Sequence, residues 1–355
     1  MKDVSVGTTH CRTDSRSDAP NAPDQAGLRE RIAPFQSAHV PTSVLQAATT
    51  IGGYLGTCAA IYWALDVSYW LAGGLVPVAI GLLVRSFIIQ HDCGHGAYFP
   101  KRKWNDALGM LCSVLTFTPY LSWKRQHAGH HGTWNNLDAR DAAGVDIYST
   151  CLTVEEYQAF GPLARSRFRV TRHPIVANII LPPLVFLMLY RVPFDMPAHW
   201  VAERRGVYLT DGALLAVYGG LALVVGIGPM LIVQGAIMVG ASIVGVWLFT
   251  VQHRSPDVRW IRREAWSAGS AALTGSTYFC LPSLLQWFTG NIGLHHIHHL
   301  NARIPNYRLQ ECLDAVPELR EVPTVTLGSS FHAVRFVLWD ERAGRMTTLK
   351  AVAAG

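Results

Sequence analysis

The chain has 355 residues, of which 50% are hydrophobic and only 15% charged, against about 25% charged residues in soluble globular domains. An ordinary soluble domain is excluded. Thirty Lys and Arg against 24 Asp and Glu leave a net charge of +6; this basic excess lies beside long apolar runs and so points to a membrane surface rather than to nucleic acid. The seven cysteines are odd in number and include no C-x-x-C pair, so they signal neither a disulfide framework nor a zinc ribbon.

Residues 1–40 are polar and proline-interrupted, with no apolar segment suited to secretion, and are expected to form a mobile cytosolic tail. Residues 44–65 and 67–90 are each uncharged or nearly so and long enough for the roughly 20 residues that a spanning helix needs. Arg29 and Arg31 precede this hairpin, Lys101, Arg102 and Lys103 follow it, and the turn at Asp66 carries no basic residue; charge bias then puts both ends in the cytosol. Arg85, near the cytosolic end, is expected to snorkel outward. Residues 107–121 and 175–190 are apolar but flanked by basic residues on both sides, and are expected to lie at the interface without crossing; Pro182 and Pro183 should break the second in its middle. Residues 213–229 and 231–252 form a second spanning hairpin, split near Gly226 to Pro229. The fold expected is an all-α integral membrane protein with two transmembrane helical hairpins and a cytosolic helical cap. Its membrane domain covers 41–320, with a cytosolic C-terminal tail over 321–355.

Ten of the fifteen histidines fall in four places: His91 and His95; His127, His130 and His131; His253; and His295, His296, His298 and His299. On helices, spacings of i, i+3 and i+4 share a face, whereas His296 is rotated about 100° from its neighbour and is the expected non-ligand. The derived topology brings all four places to the cytosolic side. Nine imidazoles (His91, His95, His127, His130, His131, His253, His295, His298 and His299) are too many for one ion and suit two, at four to five each. Imidazole alone leaves iron, zinc, copper and nickel open; two irons with positions free for O2 is the preferred reading. Asp92, Asp138, Asp141 and Asp146 are candidate acceptors for the distal ring N–H groups of the ligands, and Asn291, one turn before His295, is a candidate for water-mediated contact with the metal. Trp123, Trp134, Trp260, Trp266 and Trp287 read as interfacial anchors.

The three boxes, H-x-x-x-H, H-x-x-H-H and H-x-x-H-H, resemble those of the membrane fatty acid desaturase family, of the bacterial acyl-lipid type. The neighbourhoods are similar too: Phe87-Ile88-Ile89-Gln90-His91-Asp92-Cys93-Gly94-His95-Gly96 around the first box, Gly290 to Leu300 with Pro305-Asn306-Tyr307 around the third, and Val251-Gln252-His253 at the end of the last span. The resemblance implies a non-haem diiron centre (Fe2+/Fe3+) with O2 as co-substrate. That centre would insert a cis double bond into the acyl chain of a membrane lipid or fatty acyl thioester, entering between the hairpins. His173-Pro174 is not followed by the Gly-Gly of a fused haem domain, so the resemblance implies a separate electron carrier, ferredoxin being the usual type, docked on basic residues such as Arg254, Arg259, Arg262 and Arg263. It further implies a bacterial inner membrane with the active site on the cytosolic side. The alternatives are a hydroxylase or ketolase of the same diiron group, acting on alkane or carotenoid, and a metal transporter; transport would place ligands at mid-span.

Overall fold

A computed structural model describes residues 25–140 and 151–354. Helix α1 (Gln25–Ile32) precedes the first apolar hairpin, α2 (Val40–Leu65) and α3 (Tyr69–His95). The shorter helices α4 (Arg102–Thr116) and α5 (Tyr120–Thr133) follow. Strand β1 (Leu152–Thr153), α6 (Val154–Ala159) and α7 (Pro162–Thr171) lead to a π-helical turn over Val176–Ile180 and to α8 (Leu181–Leu187). The second hairpin is α9 (Val201–Val225) and α10 (Ile227–His253). Beyond it lie α11 (Ala268–Thr274), β2 (Tyr278–Cys280), α12 (Ser283–Phe288), α13 (His295–Leu300) and α14 (Leu309–Ala315). The chain closes with β3 (Thr324–Thr326), α15 (Leu327–Ala333), β4 (Phe336–Asp340), β5 (Arg345–Thr348) and α16 (Leu349–Ala354).

Helices α2, α3, α9 and α10 are long and apolar enough to cross a membrane, and the protein is an all-α membrane protein. Side chains such as Trp70, Leu223 and Val224 stand 92%, 90% and 83% exposed on these helices, a burden that water would penalise and lipid does not. Tyr54, Ile61, Leu83, Ile237 and Met238 interlock α2, α3 and α10 from within. Helix α9 starts at Val201, well before the charge-free stretch, and carries Glu203, Arg204, Arg205 and Asp211 in its first three turns. Three of these have partners: Glu203 pairs with Arg125 at 2.8 Å, Asp211 with Arg191 at 2.8 Å, and Arg204 donates to the carbonyls of Pro193 and Met196. The hairpin turns at Gly226 alone, at φ +84°, and Pro229 falls in the first turn of α10, where its missing N–H breaks no ladder bond.

Four sequence expectations are corrected. Residues 25–40 are packed, not mobile: Leu28 and Ile32 of α1 lie 1% and 0% exposed against Ile297, Leu300 and Leu309, each such burial contributing about 1.5–3 kcal/mol. Residues 324–354 are folded, because β3 runs parallel to β2 and a second sheet in the order β1-β4-β5 joins the C-terminal strands to residue 152. Arg85 does not reach outward; it is 8% exposed, donates to Thr50 Oγ1 and to the Trp287 carbonyl, and stacks on the Trp287 ring. Pro182 and Pro183 open α8 and do not break it, and the 57° bend lies upstream, between Thr171 and Val176.

Candidate metal centre

The first box sits at the end of α3 because the helix stops one residue later. Gly96 takes the left-handed conformation (φ +68°), its N–H reaching the Cys93 carbonyl at 3.0 Å, while the Ala97 N–H reaches that of Asp92 at 2.9 Å. Glycine adopts this geometry at little cost. The third box is pressed in from another direction: a Cβ on Gly293 would stand 2.3 Å from the Phe279 carbonyl oxygen, so only glycine lets the strand at β2 and the start of α13 approach. His253 ends α10. The C-terminal ends of α3 and α10 thus meet α5 and α13, and none of the nine expected ligands lies at mid-span.

All nine come together, in two groups. His91, His95, His127, His131 and His298 place one ring nitrogen each within 4.8 Å of one another, and so do His130, His253 and His299. His295 joins the second group, its Nε2 lying 3.1 Å from Nε2 of both His253 and His299. Further close pairs are His298 with His131 at 3.0 Å and His130 with His253 at 3.2 Å, again through Nε2. Two nitrogens held about 2.1 Å from one ion at right angles stand about 3.0 Å apart, so these spacings suit shared coordination. The Nε2 atoms of His91, His95 and His127 are buried with no hydrogen-bond partner among the described residues; each such orphan costs about 1–3 kcal/mol unless something binds it. Burial first, then the neighbouring imidazoles, holds His127, His131, His295, His298 and His299 well below the ordinary value of 6.5. Their lone pairs are therefore free at neutral pH.

Around the rings, one of the four candidate carboxylates supports a ligand. Asp92 behaves as expected: His91 Nδ1 donates to its Oδ1 at 3.2 Å, leaving Nε2 for the cluster. Its other oxygen accepts from the backbone N–H of Asn306 at 2.6 Å and from the Asn306 side chain at 2.8 Å, and Gln46 in turn bonds Asn306. Asp138 does not approach the histidines, because Arg262 at 2.6 Å and the Arg263 N–H at 2.8 Å hold it at the surface. Asp141 and Asp146 lie outside the described residues. Asn291 is a left-handed turn residue at φ +58° whose side chain donates to the Asn306 carbonyl at 3.2 Å. His296 turns away, with its ring 6.2 Å from that of Tyr278, and burial pushes it down to about 4.

The tryptophans are the residues that sequence reasoning misplaced. Trp134 and Trp260 are 3% and 5% exposed, not interfacial. Trp134 lies 4.0 Å from the His253 ring and 4.9 Å from that of His130, and Trp123 stacks on His127 at 4.6 Å. A usable signal was present: Trp123 precedes His127 by one helical turn, and Trp134 follows His130 by one.

A family model described as "Fatty acid desaturase" matches residues 68–326, the stretch that carries every one of these histidines. The chain belongs to the fatty acid desaturase family. A fatty acid desaturase of Bacillus subtilis (strain 168) is 39% identical over 328 residues, 92% of each chain. A Synechocystis sn-1 oleoyl-lipid 12-desaturase is 27% identical over 73% of this chain and 70% of its own length. A Nostoc sn-1 acyl-lipid omega-3 desaturase (ferredoxin) is 25% identical over 78% and 72%. The protein is accordingly an oxidoreductase that introduces double bonds into acyl chains, and the paired histidine groups are the place in this desaturase where a metal can be held.

Proposed function

We propose that His91, His95, His127, His131 and His298 hold one iron ion, that His130, His253, His295 and His299 hold a second, and that the desaturase acts on the acyl chain of a membrane lipid at this centre. The observation that carries the reading is the gathering of nine mostly buried imidazoles into two adjacent groups. An all-imidazole donor set with no cysteine suits iron without iron–sulfur chemistry. Per double bond, one –CH2–CH2– unit, one O2, two electrons and two protons give a cis –CH=CH– unit and two waters. Bound iron supplies the reduction of O2 and the breaking of unactivated C–H bonds, which no side chain can perform.

The protein's own part is placement. Asp92, clamped by Asn306 and Gln46, fixes the ring of His91 with its Nε2 turned inward. Burial keeps the rings of His127, His131, His295, His298 and His299 unprotonated and bulk water away, which limits escape of reactive species. The apolar faces of α3 and α10 end at the two groups and give the acyl chain a lipid-side approach. The names of the Synechocystis and Nostoc relatives support an acyl lipid as substrate and a ferredoxin-type carrier as electron donor. Charge bias across the hairpins supports an inner-membrane protein with its centre on the cytosolic side.

The test is metal analysis and fatty-acid mass on membranes of an expressing host. Two irons per chain and products lighter by two hydrogens are expected. Iron-free active protein, or a product heavier by one oxygen, would sink this reading.

A further inference from the structure

Behind the four-histidine group lies a cluster that the double-bond chemistry does not use. Its buried members are Trp134, Leu137, Cys151, Val258, Trp260, Trp339 and Met346, and five of these seven are side chains that oxidise readily. Trp134 is the hub. Its ring stands 4.0, 4.9 and 6.1 Å from those of His253, His130 and His299, and 5.1 Å from that of Trp260. It is fixed in place by donating Nε1–H to the Gly275 carbonyl at 2.7 Å. Outward, half-buried Trp266 donates its own Nε1–H to the Trp134 carbonyl at 2.9 Å and to Asn135 Oδ1 at 3.2 Å. Inward, the cluster ends where Cys151 Sγ meets Met346 Sδ at 3.9 Å; burial pushes the Cys151 thiol up to about 12, so it stays protonated and cannot act as a thiolate ligand. A merely apolar core here would be built from Leu, Ile and Val, as it is beneath α13, where the buried members are mostly aliphatic.

We propose that Trp134, Trp260 and Trp266 form an escape route for oxidising equivalents, protecting the histidines when O2 is reduced with no acyl chain in place. An enzyme strong enough to oxidise an alkyl C–H bond oxidises its own imidazoles when uncoupled, unless a better electron donor lies nearer. Indole is such a donor. Trp134 gives up one electron to the oxidised centre, and its radical is refilled from Trp260 or Trp266. Trp266 is then reduced at the surface by a soluble one-electron reductant such as ascorbate or a thiol; failing that, a second oxidising equivalent reaches the same side chain, one water adds and two protons leave, so that the indole or Met346 ends with one added oxygen. The inference rests on the metal-centre reading above.

The experiment takes full-length protein in membranes, loaded with iron or with redox-inert zinc, and supplies reductant and O2 without acyl substrate. Oxygen incorporation is mapped by peptide mass spectrometry, and retained metal is followed over time. In the iron-loaded wild type, oxygen should appear at Trp260, Trp266 and Met346 with the histidine peptides intact, and zinc-loaded protein should show no added oxygen at any of these residues. In Trp134→Phe, iron should be lost several-fold faster and oxidation should move to the peptides of His130 and His253. Trp266→Phe, remote from the rings, keeps the initial coupled rate and covers the case in which Trp134→Phe fails to fold; it should raise oxidation at Trp260 and Met346. Histidine damage equal in wild type and both variants, or the same pattern with zinc, overturns the proposal alone. Wild-type protein that binds no iron overturns the metal-centre reading along with it.

Discussion

The two histidine groups differ in how they are built. The five-ring group draws on α3, α5 and α13 and is braced by carboxylate and amide side chains, through Asp92, Asn306 and Gln46. The four-ring group draws on α5, α10 and α13 and is walled by Trp134 and Phe249, the latter 4.9 Å from the His253 ring. The first box serves the five-ring group alone, but neither the second nor the third belongs to one group. From the second box, His127 and His131 serve the five-ring group and His130 the other; from the third, His295 and His299 serve the four-ring group and His298 the five-ring group. Helical geometry explains the split: residue i+4 lies about 40° to one side of residue i, and residue i+3 about 60° to the other. A three-histidine box is therefore a bridge between two sites, not a site.

Deleting one ring is the sharpest way to break this comparison. His95→Ala should abolish product and release the iron of the five-ring group, and His299→Ala should abolish product and release the other, both read by iron per chain and fatty-acid analysis. Loss of both irons from each variant would show that the groups do not fill separately. Next in size, Asp92→Asn should weaken iron binding about 10- to 100-fold, as is usual when a residue orienting a metal ligand is lost, and only at the five-ring group; equal weakening at both, seen in a metal titration, would erase the distinction drawn here. Leu28→Ala removes support from beneath α13, which serves both groups alike. It should cost about 2–5 kcal/mol of stability, measured as a lower unfolding temperature with the ratio of the two irons unchanged.

The smallest effect is expected at Asp106, which joins α4 to α5 by accepting from Lys124 at 2.6 Å and Tyr120 at 2.9 Å. Its partial burial alone would raise the carboxyl, yet these bonds hold it below the ordinary 3.8. Since the folded value is the lower one, the stabilisation is complete above pH 3.8 and is lost as pH falls through the folded value. The pair is partly exposed, so Asp106→Asn should cost at most about 1 kcal/mol, and thermal melts of mutant and wild type should converge in acid.

The spans and the nine rings were legible in sequence, because apolar length and histidine spacing are local signals. The division of the rings between two groups was not. It depends on which way α5 and α13 face each other, and those helices lie more than 150 residues apart in the chain. Distance along the chain hid Asn306 from Asp92 for the same reason, the two lying 214 positions apart. Residues 25–40 looked mobile because α1 is too short to show its apolar face in isolation; only the surface of α13 and α14 gives Leu28 and Ile32 somewhere to pack. Trp134 and Trp260 were misread because tryptophan near a membrane is so often a headgroup anchor.

The crossing of the boxes has a mechanical consequence. A small roll of α13 about its long axis carries His298 one way relative to its five-ring neighbours while carrying His295 and His299 the same way relative to theirs, so that slack at one end of the pair is tension at the other. The two ions would sit on a seesaw, and any carrier or lipid that nudges this short helix would be felt by both at once.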